Sequence, residues 1–342
     1  MKFYCGIDLG ARNSQVCMID DDLNIHLQQK IPNDLPRIIH KIDPFNEDLR
    51  IVVESTFNWY WLIDGLQEKG YDVFLAHTLG LYMITGAKVK TDRRDALALA
   101  KLLKAGLIPK AYIYPKHSRP VRDLLRRRRH LVSLRAIEYS SLRMLLMRHG
   151  ILEHNRNQIK LLPEEELKRW LSHPLVQLHA RQQLQRARLY TSQLEELEEK
   201  ILTIAQDRPE YDRLMTIPGI GKILAVTVLY EVGEISRFLN PKHFSSYCRL
   251  IPGITQSGSS CRRGRGSKQG NANLKWAFSQ AAIYAVRYYP KIRRSYDRHL
   301  RRHQGRARKL IAYNIIAHKL AVAAFHVLRN ETVYHEEMLL GS

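Results

Sequence analysis

Two aspartates three residues apart, Asp92 and Asp95, open a stretch rich in Ala, Leu and Lys that continues through Leu103. Those residue types favour a helix, and a spacing of three puts both carboxylates on one face of its first turn. The pair has a plain structural reading as a capping box, in which Asp92 caps the amide three residues on and Asp95 reaches back. Two more acids widen the choice. Phe3-Tyr4-Cys5-Gly6-Ile7-Asp8 and Arg50-Ile51-Val52-Val53-Glu54 are short apolar runs with a strand pattern, each ending in a carboxylate. Taken singly, Asp8 or Glu54 reads equally well as an ordinary strand-terminal acid. Together, four carboxylates from two strand ends and one helix start can converge on hard divalent cations, which prefer oxygen ligands. Two such ions, roughly 4 Å apart, are an arrangement for phosphodiester chemistry. Two magnesium ions on Asp8, Glu54, Asp92 and Asp95 are therefore expected.

The elements that must hold these acids follow in order. After the first strand, residues 14–19 and 23–29 read as strands joined by Asp20-Asp21-Asp22, and a helix at Leu35–Ile42 follows Pro32. The Glu54 strand, a helix at residues 58–69, a strand at Asp72–Ala76 and the Asp92 helix complete the run. Three strands and then alternating helix and strand is the order of a ribonuclease H-like domain, expected over residues 1–115. In that fold metal ligands sit on the first strand, the fourth strand and the last helix, where Asp8, Glu54 and Asp92/Asp95 fall.

The chain has 342 residues and a net charge of +22, far beyond what solubility needs, so a polyanion is the expected partner. Nucleic acid fits better than a membrane. No run is read as approaching the roughly 20 apolar residues of a span, and no signal-peptide pattern opens the sequence, so a cytoplasmic protein is expected. Cys5, Cys17, Cys248 and Cys261 lack paired spacing and are expected to be reduced thiols.

Residues 116–207 are rich in Leu, Arg, Gln and Glu and read as two antiparallel helices broken near Leu162-Pro163, a coiled-coil-like arm. Its seam, Leu194, Leu197, Ile201 and Ile204, suits an intramolecular hairpin or a dimer contact equally. Arg126, Arg127, Arg128 and Arg129 have no acidic neighbour after Asp123, which favours phosphate contact over a merely solvated face. Residues 208–342 form the third, mainly helical segment. Ile217-Pro218-Gly219-Ile220-Gly221 resembles a helix-hairpin-helix turn, whose amides can hold a phosphate through Gly219 and Gly221, and reads equally as an ordinary tight turn. Residues 256–271, with Arg262, Arg263, Arg265 and Lys268, have the composition of a solvated basic loop. Beyond them Tyr284, Tyr288 and Tyr289 precede a cluster that includes Arg293, Arg294, Arg301 and Arg302, an alternation of aromatics and cations found on single-strand and RNA surfaces. A final apolar helix over residues 309–328 reads as core.

With these motifs in order, the chain resembles the DEDD transposases of bacterial insertion sequences, described as bridge-RNA-guided recombinases and related to the pilin-inverting invertase Piv. The resemblance rests on Gly6-Ile7-Asp8, Val53-Glu54, Lys90-Thr91-Asp92-Arg93-Arg94-Asp95-Ala96 and Ile217-Pro218-Gly219-Ile220-Gly221. It continues through Phe244-Ser245-Ser246-Tyr247-Cys248-Arg249-Leu250-Ile251-Pro252 to Ser267-Lys268-Gln269-Gly270-Asn271. It implies a RuvC-like nuclease domain, a coiled-coil arm, and a transposase domain bearing a catalytic serine. It also implies a structured non-coding bridge RNA as guide, acting with donor and target DNA duplexes. Family members show Ser-Ser-Gly a few residues after the proline matching Pro252; here Gln256-Ser257-Gly258 stands there, making Ser257 the expected nucleophile, with Ser259 and Ser260 within one slip. Joining two duplexes implies a homo-oligomer, a dimer or tetramer. The competing reading is a Holliday-junction resolvase that uses the four acids and water, without a serine.

Overall fold

A computed structural model describes residues 1–85, 92–257, 260–264 and 269–340. Two compact units divide the chain, Met1–Lys116 and His117–Ser342. The first is a mixed α/β unit and the second is mostly helical.

The first unit is built on a five-stranded sheet of β1 (Phe3–Leu9), β2 (Asn13–Asp20), β3 (Ile25–Pro32), β4 (Leu49–Glu54) and β5 (Asp72–Ala76), in the order β3-β2-β1-β4-β5. The first three strands form an antiparallel meander, while β4 and β5 run parallel to β1. Helices connect the parallel strands: α1 (Leu35–Ile42) before β4, and α2 (Tyr60–Glu68) before β5. Alternation along β1 sends Cys5, Ile7 and Leu9 to the apolar layer that also buries Ile38, Leu62 and Ile63 of α1 and α2. Tyr4, Gly6 and Asp8 look the other way. That second face carries Cys17, Ile19 and Val52 and is covered by Ala96, Leu99, Ala100 and Leu103 of a later helix. Two short helices close the unit, α3 (Thr78–Thr85), which the sequence reading omitted, and α4 (Asp92–Lys104).

One position sets how closely α4 can lie on the sheet. A Cβ on Gly6 would stand 2.2 Å from the carbonyl oxygen of Ala96 and 2.7 Å from the amide nitrogen of Ala100. The backbone of α4 therefore rests on the backbone of β1, with the small residues Ala96 and Ala100 fully buried at the contact. The meander turn is equally specific. Asp20 accepts from the amides of Asp22 and Asn24 and lies 2.7 Å from the His26 ring, and these partners hold its carboxyl well below the usual carboxylate range.

In the second unit, α5 (Arg119–Arg148) and α8 (Pro174–Ala205) pack along their lengths, with α6 (Arg156–Lys160) and α7 (Glu164–Trp170) between them. Their partners descend in antiparallel register: Arg128 with Glu198, Arg135 with Thr191, Glu138 with Arg186 and Ser141 with Gln183. Of the expected seam, Leu194 and Ile201 are buried inside this chain, whereas Ile204 is half exposed. The remaining core is formed by α9 (Pro209–Met215), α10 (Lys222–Val232), α11 (Pro241–Tyr247), α12 (Ala272–Tyr288), α13 (Pro290–Arg302) and α14 (Arg308–Arg329). The expectation that no stretch is long and apolar enough for a membrane span is corrected for α14, which qualifies by length and composition. Its ten buried residues, rich in alanine, pack in the core with α11, α12 and α13. Cys5, Cys17 and Cys248 are buried free thiols, and burial raises all three, Cys17 to about 11.

The Gly6 contact yields a direct test. Because the atoms facing its Cα are backbone and cannot swing aside, Gly6→Ala should destabilise the first unit by about 3 kcal/mol, at the upper end of overpacking penalties. Urea unfolding should show it, and an unchanged midpoint would mean that α4 lies further from the sheet.

Candidate carboxylate site and serine hairpin

Asp8 and Glu54 are brought together by strand register. β1 and β4 pair in parallel with Ile7 opposite Val53, so the next residues, Asp8 and Glu54, stand side by side at the same end of neighbouring strands. Both are half-buried, on the face that α4 covers. The first turn of α4 carries Asp92 and Asp95, and the Gly6 contact two residues before Asp8 brings that helix against β1. Its start is tied to β3 by a reciprocal pair, in which Arg93 Nε donates to Gln28 Oε1 at 2.8 Å and Gln28 Nε2 donates to the Arg93 carbonyl. The rim beside the acids is knitted by Asn33 and Asn58, which both donate to the Gly10 carbonyl, and by Thr78, which donates to that of Ser55.

The electrostatics of this arrangement are those of crowded negative charge. Burial pushes the Asp8 carboxyl up to about 7, reinforced by its hydrogen bond with Glu54 and then by the charges of Glu54, Asp92 and Asp95. Two carboxyl groups sharing a hydrogen bond need a proton between them, so this is where a cation would relieve repulsion. No set of three or more His, Cys, Asp or Glu side chains among the described residues stands close enough to hold a metal as placed. The donor chemistry nevertheless fits a hard divalent ion: the charged groups that act on Asp8 are the carboxylates of Glu54, Asp92 and Asp95, and carboxylate oxygens are the ligands such ions prefer. Lys90 and Thr91 of the motif before Asp92 lie outside the described residues.

The second unit places Ser257 at the end of β6 (Gly253–Ser257), which pairs antiparallel with β7 (Ser260–Gly264). Ser257 stands opposite Ser260, Thr255 opposite Arg262 and Ile254 opposite Arg263. This corrects the expectation of a solvated loop for residues 256–257 and 260–264, which lie in two paired strands whose short, polar, glycine-containing sequences hid their period. Ser259, Arg265 and Lys268 lie outside the described residues.

The hairpin stretch is held at both ends. Asn314 donates to the Leu250 carbonyl before it, while Arg249 Nε donates to the Gly270 carbonyl and Asn271 N to that of Tyr247 after it. Asn271 also donates through Nδ2 to Glu231 Oε2 at 2.7 Å, and Asn273 to Glu231 Oε1 at 2.9 Å. Glu231 is fully buried, and Arg122 and Arg126 donate to it at 3.1 and 2.7 Å. Burial alone would raise its carboxyl, but the Arg126 hydrogen bond and the charges of Arg122 and Arg126 outweigh it and hold the group below its ordinary value.

Three members of the arginine run read above as phosphate contacts have partners within the chain. Arg126 reaches Glu231, Arg128 bonds Glu198, and Arg129 bonds Asn273 and lies over the Trp276 ring. Only Arg127 is left simply exposed. The acid that claims Arg126 is 105 residues away in sequence, so local charge patterning could not reveal it. Gly219 is likewise a packing residue: its φ is +82°, and a Cβ there would meet the Ala281 carbonyl of α12 at 2.2 Å. Gly221, just before α10, is exposed with open space beside it. On α13, Arg293 pairs with Asp297, and Arg301 Nε reaches the Asp297 carbonyl at 3.4 Å. Arg294, Arg298 and Arg302, each four residues on from the last, form an exposed basic stripe.

Comparison with known proteins finds two matching family models along the chain. Residues 5–150, spanning the sheet, the four acids and α5, match the DEDD transposase model named for IS110, and residues 211–297 match the model of the transposase IS116/IS110/IS902 family. A parallel pair of strands ending in acids beneath an acidic helix start, followed by this helical unit, is thus the build of a DEDD-type DNA transposase. Relatives extend the match along most of the chain. The transposase-like protein y4qE of Sinorhizobium fredii is 24% identical over 84% of this chain and 73% of its own length. The transposase for insertion sequence element IS1328 of Yersinia enterocolitica is 26% identical over 82% and 84%. The pilin gene-inverting protein of Moraxella bovis is 23% identical over 98% and 99%. Both matched models describe IS110-type transposases, so the chain is similar to that family in each of these segments.

The Glu231 cluster predicts its own failure. Glu231→Ala leaves Arg122 without its buried counter-charge and should destabilise the second unit by about 3–5 kcal/mol. Because the native carboxyl titrates below its ordinary value, its contribution is full above the unfolded-state pKa and is lost as pH falls through the folded one. Wild type and Glu231→Gln should therefore converge in stability on acidification. Parallel stability–pH curves would contradict this assignment of the charge.

Proposed function

We propose that the chain cuts and rejoins insertion-sequence DNA, using a magnesium-loaded carboxylate site in a ribonuclease H/RuvC-like unit and a covalent link from Ser257 to DNA. The observation that carries the reading is that strand register sets Asp8 and Glu54 side by side on adjacent parallel strands, on the face covered by the helix whose first turn holds Asp92 and Asp95. The strand order β3-β2-β1-β4-β5, with parallel pairing only beyond β1, supports the ribonuclease H-like assignment. The antiparallel α5–α8 pair would serve as the coiled-coil arm. Donor and target DNA duplexes, a structured guide RNA and a dimeric or tetrameric assembly complete the proposal, with action in the cytoplasm. The net charge of +22 and the Arg294 stripe supply the means of holding phosphate backbones.

Asp8, Glu54, Asp92 and Asp95 are the residues that would hold the metal. Two bound magnesium ions would stabilise negative charge on the attacked phosphate and favour loss of the nucleophile's proton. Ser257 Oγ gives up its proton and forms a bond to phosphorus as one P–O ester bond breaks; the released strand end takes up a proton and leaves as a hydroxyl. The phosphoserine bond conserves the phosphodiester for rejoining, when a strand hydroxyl attacks phosphorus and the serine hydroxyl is restored.

Asp92→Ala should abolish strand cleavage and leave nucleic-acid binding largely intact, while Ser257→Ala should abolish protein-linked DNA on denaturing gels. Cleavage at the wild-type rate in chelator would overturn the metal assignment. Cut ends with no adduct from wild type would establish the water-using resolvase reading instead, and an adduct lost only in Ser259→Ala or Ser260→Ala would move the nucleophile. Strand exchange at full rate without RNA would remove the guide.

A further inference from the structure

On the second unit, a groove of about 490 Å³ runs between the turn preceding α10 and the C-terminal end of α12. Gly219, Gly221 and Lys222 form one wall, and Tyr284, Tyr288 and Tyr289 the other. The tyrosines are unusual for a core-packed helix, being 51%, 60% and 45% exposed, although aromatic surface is normally buried. Tyr284 and Tyr288 lie one helical turn apart with near-parallel rings, 14° between planes and 6.2 Å between centroids. Two near-parallel aromatic rings are therefore about half exposed to solvent.

Charge surrounds them. Arg287 lies over the Tyr288 ring, exposed Lys222 begins α10 across the groove, and Tyr289 leads directly into α13 with its Arg294, Arg298 and Arg302 stripe. Aromatic faces rimmed by cations suit a ligand that is flat and apolar in one part and anionic in the next. An unpaired nucleic-acid strand has that alternation, whereas a duplex keeps its base faces stacked away from protein. Gly219 contributes by letting the turn rest on the α12 backbone, which fixes the groove wall beside the tyrosines.

We propose that this groove binds unpaired DNA, with bases stacked on Tyr284 and Tyr288 and the adjoining phosphate near Lys222. The inference rests on the DNA-transposase assignment and adds where that enzyme holds a single strand opened from its duplex.

Fluorescence polarisation on the full chain tests it with labelled oligodeoxythymidine of about 15 nucleotides, a length that matches common single-strand site sizes. Tyr284→Ala/Tyr288→Ala should weaken binding by about ten-fold or more, the scale of losing a base stack, while Tyr288→Phe keeps the wild-type affinity. Binding to a blunt duplex of equal length should stay unchanged in both. Equal affinity of the alanine variant for oligodeoxythymidine, or an equal loss on duplex, overturns the proposal. Tighter, tyrosine-dependent binding of oligouridine would assign the groove to RNA and overturn the DNA assignment. Matching thermal unfolding of wild type and variants verifies that these exposed positions do not report misfolding. Formation of protein-linked DNA by the same preparations reads the transposase assignment separately, so either can fail without the other.

Discussion

The first unit depends on a missing side chain. At Gly6 the backbone of α4 lies against the backbone of β1 with no room for a methyl group between them. That contact brings the acidic first turn of the helix to the strand whose next same-face residue is Asp8. Packing and chemistry are thus set at one place, because the helix that buries Leu99 and Leu103 also delivers Asp92 and Asp95. Any residue with a Cβ at position 6 would move the acids as well as the core. The reciprocal Gln28–Arg93 hydrogen bonds then limit how far the helix start can rotate.

The second unit depends on the opposite device, a buried charge with several partners. An isolated carboxylate in an apolar core would take up a proton instead of remaining ionised. Glu231 stays ionised because two arginines of α5 and two asparagines around the start of α12 donate to it together. The network therefore joins α5, α10 and the segment that closes the serine hairpin. Part of the large positive charge is thereby internal structure and not a surface for nucleic acid, so the formal charge overstates what is free to meet phosphate.

Much of this was legible in the sequence where the information is local. Alternating apolar residues and turn aspartates marked the meander, and α1 and β5 lie where their patterns put them. Asp8 and Glu54 could be matched because strand ends are visible as patterns. The role of Gly6 was open to the same reasoning, since it is two residues before Asp8 and shares its face, but a strand glycine alone does not say which helix rests on it. The helix Thr78–Thr85 was hidden by Gly80 and by two threonines and a tyrosine of weak helical preference; His77 precedes it, and its Nδ1 accepts from the Gly80 amide. The partners of Arg126 and Arg129 were out of reach because they come from residues more than a hundred positions away.

The eleven-residue helix α10 has a consequence of its own. The tyrosine-lined groove is at its first residues, while Glu231, which holds the base of the serine hairpin, is in its last turn. A helix of that length spans about 16 Å at 1.5 Å per residue. Helical rise, and not the reach of a loop, therefore sets the interval between the two ends. A single inserted residue would lengthen the interval by about 1.5 Å and swing one end about 100° around the axis, whereas whole turns would lengthen it and keep the facing of both ends.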